Sequence, residues 1–467
     1  MSSHNFKDKN DLLLMLNKKN LWIILLLVCI ISNIILRLHL IELFSQYPIQ
    51  AKDPGTDESG YINLGLHFWS WLLHGNAIRL PLYPAFLALF VQNGMSEKII
   101  YITQHILFIS SALTLCFVLF DNWSWRFLVL TIILFYGPFM TNPNGALTET
   151  FTISLLMFAI VCSISCGKNR WGQLGGAFLF GLLSLTRPNF LYLFPLILLL
   201  QLVKKQISFK SSILLVIIFA LPVFSWMMRN YAIQGKMIYC TVGGEQLYRE
   251  SRIMPPYYSD DLKFFNEVLE QDRPDNLKVS FSQIWRENIY HDNRYNYLPI
   301  DSNYPLKNDV RTDQYYKKTA KENYKYYLKN RFDLLFNKVS LWIRNYPTTC
   351  MATFEYLAYR NSDKFIHSRV IDLLYIIATL YDIFFFPMGL LMILLLGICI
   401  LRFPSRLKDL RSTTILYAIL FYSLFFPIPT QIGGRFTMIY MMMIIIISLY
   451  FISRYPLKTF WNEEIPN

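Results

Sequence analysis

The chain is 467 residues long, 54% hydrophobic and only 16% charged, whereas soluble globular proteins carry about 25% charged residues. Several apolar runs reach the roughly 20 residues that a bilayer-spanning helix needs, so an ordinary soluble domain is excluded. The net charge of +13 comes from Lys and Arg in short clusters between apolar runs, which argues against a nucleic-acid-binding face and for membrane topology.

The basic N-terminus leads into LWIILLLVCIISNIIL. That run exceeds the roughly 7–15 residues of a signal-peptide core, and no small-x-small cleavage site follows it. It reads as a retained first span over 20–41. Further spans are predicted over 97–120, 125–141, 147–166, 171–186, 189–203, 211–231, 371–401, 411–429 and 434–453. The fifth and sixth are short. They are two spans or one helix broken at TRPN, where Pro188 removes a donor and disfavours helix at Arg187. Broken helices inside membrane proteins line polar cavities.

The predicted fold is therefore an all-α polytopic membrane protein, a bundle of about ten transmembrane helices within a range of nine to twelve. Three parts are expected. An N-terminal transmembrane module covers 1–231, with a first outer loop at 42–96; a polar, Tyr-rich segment covers 232–368; C-terminal transmembrane helices cover 369–467.

Basic residues in short loops fix the orientation. With Lys18 and Lys19 in the cytoplasm, the same side receives Arg126; Lys168 and Arg170; Lys204, Lys205 and Lys210; Arg402, Arg406, Lys408 and Arg411; then Arg454 and Lys458. Both termini are then cytoplasmic and 232–368 is extracytoplasmic. The outer face collects KDPGTDESGY with Asp53, Asp57 and Glu58, the turn NPNGALTE with Glu149, and the isolated Arg79, Arg187, Arg229 and Arg435. In the first outer loop, GYINLGLHFWSWLLHG is amphipathic and aromatic and reads as an interfacial helix. RLPLYPAFLALFVQNG follows as a second short helix.

Of the seven cysteines, Cys29, Cys116, Cys162, Cys166 and Cys399 fall in or beside apolar runs and read as packing. Cys240 and Cys350 can pair only if their segment faces an oxidising compartment, and nothing in the sequence fixes their separation. There is no Gly-rich phosphate loop, HExxH, GxSxG or zinc spacing.

TDESGYINLGLHFWSWLLHGNAIRLPLYPAFLALF resembles the first outer loop of the GT-C membrane glycosyltransferases, in the branch of the protein mannosyltransferase-like and aminoarabinose transferase-like enzymes. The matching positions are Asp57, Tyr61 and the R-x-P-x-Y-P segment Arg79-Leu-Pro81-Leu-Tyr83-Pro84. GALTETFTISLL is similar to that branch's second acidic turn, GLLSLTRPNFLYL to its helix ending in L-T-R-P, PVFSWMMRNYAIQG to its R-N helix end, and GGRFTMIY to the start of a late helix. The resemblance covers 20–240 and 411–453; 241–370 resembles nothing named.

The resemblance implies a glycosyltransferase that takes its sugar from a polyprenyl-phosphate donor. It transfers that sugar outside the cytoplasm, as at a bacterial inner or plasma membrane, to a lipid, glycan or protein, inverting the anomeric centre. No cofactor is implied beyond the lipid-linked donor, no metal ligand is assigned, and a divalent-metal requirement is left open. An inverting transfer needs a carboxylate to take the acceptor proton and cations where charge grows on the departing phosphate. Asp57 is the expected base, with N-capping of the interfacial helix as its simpler role. Glu58 and Glu149 are the further acids; Glu149 alternatively serves the dipole of its helix. Arg79 and Arg435 are the first expected phosphate ligands. Arg187 and Arg229 are further ligands or structural, and any of the four can simply snorkel. Tyr61 and Tyr83 line the site or pack; His67 and His74 are interfacial. Two other classes compete: a transporter or flippase of a lipid-linked or anionic substrate, and a surface-polysaccharide polymerase or ligase.

Overall fold

A computed structural model describes residues 4–45, 57–75, 77, 79–165, 170–241, 317, 318, 321, 411–425 and 434–454. The expected span 371–401, Asp53, Cys166, Cys350, Cys399 and nearly all of 242–368 lie outside the described residues. Among those described there is helix and no strand.

The helices, in chain order, are α1 (His4–Ser45), α2 (Asp57–Leu66), α3 (Phe68–His74), α4 (Leu82–Val91), α5 (Glu97–Leu119), α6 (Trp123–Leu134), α7 (Gly137–Thr141), α8 (Thr148–Ser165), α9 (Arg170–Ser184), α10 (Leu193–Val203), α11 (Phe209–Gln234), α12 (Arg411–Phe425) and α13 (Gly434–Arg454). Among the described residues, four segments are long and apolar enough to cross a membrane: Lys19–Glu42, Glu97–Leu119, Thr148–Ser165 and Phe209–Gln234. Exposed Leu, Ile and Val line α1 and α11, as expected of helices whose outer faces meet lipid rather than water.

The expected span 125–141 is not one helix. It stops at Leu134 and restarts as α7 at Gly137. Pro138 supplies no backbone N–H and restricts the residue before it, and the preceding glycine is a poor helix former. The end of α6 leaves carbonyls without intrahelical partners. Arg37 of α1 meets the last of them and bridges to α7: Nη2 donates to Leu134 O and Nη1 to Phe139 O of α7, both at 2.8 Å, while Asn33 Nδ2 donates to Leu134 O at 2.8 Å. The negative pole of the helix end suits a cation there.

The expected interfacial helix is also broken. His67 leaves helical geometry at φ −104°, ψ 26°, which divides α2 from α3. Phe68 and Trp71 of α3 are buried, whereas Trp69 and Leu73 are exposed. At TRPN the break falls where expected: Arg187 is extended and Pro188 opens a 3₁₀ turn, Pro188–Tyr192.

Helix α9 packs closely on both neighbours because it carries glycines at the crossings. A Cβ on Gly176 would strike Ser163 of α8, and one on Gly181 would strike Phe219 O of α11 and lie 2.7 Å from Pro222 Cγ. Small residues at such crossings let membrane helices approach backbone to backbone.

Contacts sort the helix ends into two groups. Lys98 at the start of α5 pairs with Glu42 at the end of α1. Leu82 N donates to Leu185 O just past α9 at 3.2 Å, and Phe190 stacks on Tyr440 near the start of α13 at 5.9 Å. At the opposite end, Arg454 closes on Asp121 at 2.7 Å and Lys19 lies over Trp123 at 6.0 Å. The first-loop elements α2, α3 and α4 belong to the former group.

Candidate functional site

Two carboxylate–guanidinium pairs and a third carboxylate gather among the first-loop helices and the starts and ends of α8 and α9. Asp57 is the first residue of α2, and Glu58 shares its first turn, where acids complement the positive helix end. Arg79 Nη2 donates to Asp57 Oδ1 at 2.8 Å, with both side chains partly exposed. The Arg79 guanidinium lies over the Tyr61 ring at 5.0 Å, a cation–π arrangement that favours a fixed charge. Tyr61 in turn meets Tyr83 edge-on at 5.2 Å. Asp57 and Tyr61, and Arg79 and Tyr83 some way further along the loop, therefore form one contiguous chain of contacts.

The second pair is deeper. Glu149 in the first turn of α8 is fully buried, and Arg187 Nη2 donates to its Oε1 at 2.6 Å while Nε donates to Thr148 Oγ1 at 3.1 Å. Burial of a full charge is tolerated only when it is paired and hydrogen-bonded, and both conditions hold. Glu58 is also buried. Its carboxylate lies against Gly145: a Cβ there would sit 2.5 Å from Oε1. The turn Asn142–Gly145 thus brings the acid of the first loop to the segment that carries Glu149.

Tyr83 is fully buried and its hydroxyl donates to Gln104 Oε1 at 3.0 Å. Burial, reinforced by the negative charge of Glu149, holds its phenol well above the usual tyrosine range. It is a permanent hydrogen-bond donor, not a base.

Arg229 is placed differently from the other arginines. Its Nε donates to Leu72 O at 2.6 Å and its Nη2 to Trp71 O at 2.5 Å and Gly75 O at 2.9 Å. It also lies over Trp226 at 4.7 Å. This caps the C-terminus of α3 and ties the first loop to α11. The chain after α11 turns back to the same place: Trp226 Nε1 donates to Tyr239 O at 2.7 Å, the Tyr239 hydroxyl donates to Ser184 O, and Thr241 N donates to Ala77 O at 3.1 Å. Arg435 is the second residue of α13, and its side chain lies outside what is described. His67 and His74 are exposed.

The chain matches no protein-family model, curated protein or solved structure.

Among the described residues no three His, Cys, Asp or Glu side chains are grouped to hold a metal ion. What the cluster can do is present carboxylates of two exposures beside two guanidinium groups. Partly exposed Asp57 and Arg79 can exchange partners with a ligand; buried Glu149 and Arg187 hold each other.

Four residues that the sequence reading passed over shape this region: Arg37, Gln104, His105 and Asn144. All are buried. Arg37 Nε donates to Asn33 Oδ1 at 2.6 Å and Nη1 meets His105 Nδ1 at 2.7 Å; His105 Nε2 meets Asn144 Oδ1 at 3.0 Å. Arg37, Gln104 and His105 each sit inside an apolar run, and an ionisable or amide residue within a span is itself a signal.

Proposed function

We propose that the chain is a membrane glycosyltransferase that moves a sugar from a polyprenyl-phosphate donor to an extracytoplasmic lipid, glycan or protein acceptor. The supporting observation is the Asp57–Arg79 pair, partly exposed and beside Tyr61 and Tyr83, at the end of an apolar helical bundle. A lipid donor in the leaflet reaches such a place without leaving the membrane, and the acceptor approaches from water.

The proposed chemistry follows from the groups present. Donor phosphate competes with Asp57 for the Arg79 guanidinium, whose planar fork suits phosphate oxygens. The released carboxylate takes the proton of the acceptor hydroxyl as its oxygen attacks the anomeric carbon from the face opposite the phosphate. The bond from that carbon to the phosphate oxygen breaks, and the phosphate leaves with the electron pair. Arg79 stabilises the charge that develops. In this reading Arg435 is a second cation for the phosphate. Arg187 holds Glu149, and Arg229 holds α3. The same reading carries the finer architecture: about ten spans, both termini cytoplasmic, and the site and the 232–368 segment outside.

A transporter is the second reading, favoured by Arg37 and His105 inside the bundle, since ionisable residues within spans often mark translocation routes. Here the donors of Arg37 are spent on the carbonyls of Leu134 and Phe139, Asn33 and His105, which is a capping role. Lipid and glycan mass spectrometry of a deletion strain separates the readings. Transfer requires one sugar to be missing from a product while its lipid donor accumulates. A transport defect strands the donor or an unmodified lipid on the cytoplasmic side instead.

A further inference from the structure

Helix α4 of the first loop and the turn that leads to Glu149 are fastened to a single side chain of the α5 span. Gln104 is fully buried. Its Nε2 donates to Pro143 O and to Gly145 O, each at 3.0 Å, and its Oε1 accepts the Tyr83 hydroxyl at 3.0 Å. Both N–H groups of the amide are used. The reverse orientation would point the amide oxygen at two carbonyl oxygens, so the arrangement has one sense. The next residue, His105, holds Asn144 through Nε2, and an Arg37 N–H on Nδ1 fixes Nε2 as the protonated nitrogen. Two consecutive residues of α5 therefore grip Pro143, Asn144 and Gly145 in succession. Gly145 is where the Glu58 carboxylate rests, and Tyr83 lies in the first turn of α4, four residues after Arg79 and edge-on to Tyr61.

We propose that Gln104 is a positioning residue that sets the spacing between the first-loop pair Asp57–Arg79 and the turn leading to Glu149. It touches no reacting atom; it acts through Tyr83 on one side and the Asn142–Gly145 turn on the other. The catalytic part of this proposal rests on the transferase reading above; the mechanical part does not.

The test uses full-length protein in phosphatidylethanolamine–phosphatidylglycerol nanodiscs. Gln104→Met keeps the length of the side chain and removes all three bonds; Tyr83→Phe removes only the link to the first loop. Hydrogen exchange read by mass spectrometry should rise in peptides covering 57–66 and 142–149 for Gln104→Met, in 57–66 alone for Tyr83→Phe, and not in 209–234 for either. With a polyprenyl-phosphate sugar donor, kcat of Gln104→Met should fall by about tenfold to a hundredfold, the scale of a misplacement near 1 Å, with KM for the donor little changed. Unchanged exchange in a folded Gln104→Met protein overturns the proposal. Raised exchange with normal kcat overturns its catalytic part. Raised exchange in a protein whose wild type transfers no sugar overturns the transferase reading and leaves the clamp standing. If Gln104→Met does not fold, Tyr83→Phe decides: unchanged exchange in 57–66 counts against the clamp.

Discussion

Arg37 and Arg79 show two fates for a guanidinium in an apolar bundle. Arg37 is buried among backbone carbonyls and makes four bonds, and its removal strands groups that have no water to turn to. Each buried polar group left unsatisfied costs about 1–3 kcal/mol, so Arg37→Leu should lower the thermal midpoint of the detergent-solubilised protein substantially. Arg37→Lys should recover only part, because a point ammonium cannot serve carbonyls on two sides as a planar fork does. Arg79 is partly exposed and pairs with Asp57, and a partly exposed pair of this kind contributes at most about 1 kcal/mol to stability. Arg79→Ala should therefore leave the thermal midpoint nearly unchanged and nearly abolish sugar transfer, with Arg79→Lys intermediate in activity. Wild-type transfer by the Ala variant would remove Arg79 from the site. Asp57, Tyr61, Arg79 and Tyr83 were legible together because they match the first-loop motif of the enzymes that the sequence resembles. The sequence did not offer Gln104 or Arg37, whose partners are carbonyls of residues 39 to 102 positions away; a backbone acceptor leaves no trace in side-chain identity.

Among the elements, the length of the apolar runs located most of the longer described helices, and punctuation located the breaks only in part. TRPN was legible because Pro188 follows an arginine at the end of a glycine-bearing run. The break before α7 was not read from its Gly-Pro pair, because the surrounding run is apolar enough to pass for one span. The packing of α9 is a further property of the element. At Gly181 an added Cβ meets the Phe219 carbonyl and Pro222, which are not free to move aside. Gly181→Ala should destabilise by about 1–3 kcal/mol, the usual cost of overpacking a filled contact, and Gly181→Leu should prevent stable folding; the thermal midpoint and the monodisperse yield measure both. Gly175, whose Cβ would meet nothing within 4 Å, is the control: Gly175→Ala should be neutral or slightly stabilising, since alanine is the better helix former.

For the whole molecule, the alternation of basic loops is an expectation from the sequence, and the structure separates two groups of helix ends. Asp121 and Arg454 meet at one end, and Lys236 follows α11 at the other. Which end faces out is the proposal's own step. In a background with all seven native cysteines replaced, Lys236→Cys should react with an impermeant maleimide in intact cells and Asp121→Cys only after permeabilisation. The reverse pattern would place the acidic cluster inside and remove the proposed donor and acceptor from its reach. The central claim is that the Asp57 carboxylate performs proton transfer rather than merely opening α2. Asn caps a helix about as well as Asp and is nearly the same size, whereas a positioned general base is worth about 10²–10⁴ in rate. The most direct measurement is therefore the turnover of Asp57→Asn with a polyprenyl-phosphate sugar donor, in protein shown to fold and to bind that donor. A fall in kcat of about a hundredfold or more is expected; normal turnover in that folded, donor-binding variant would contradict the account and move the base to Glu58 or Glu149.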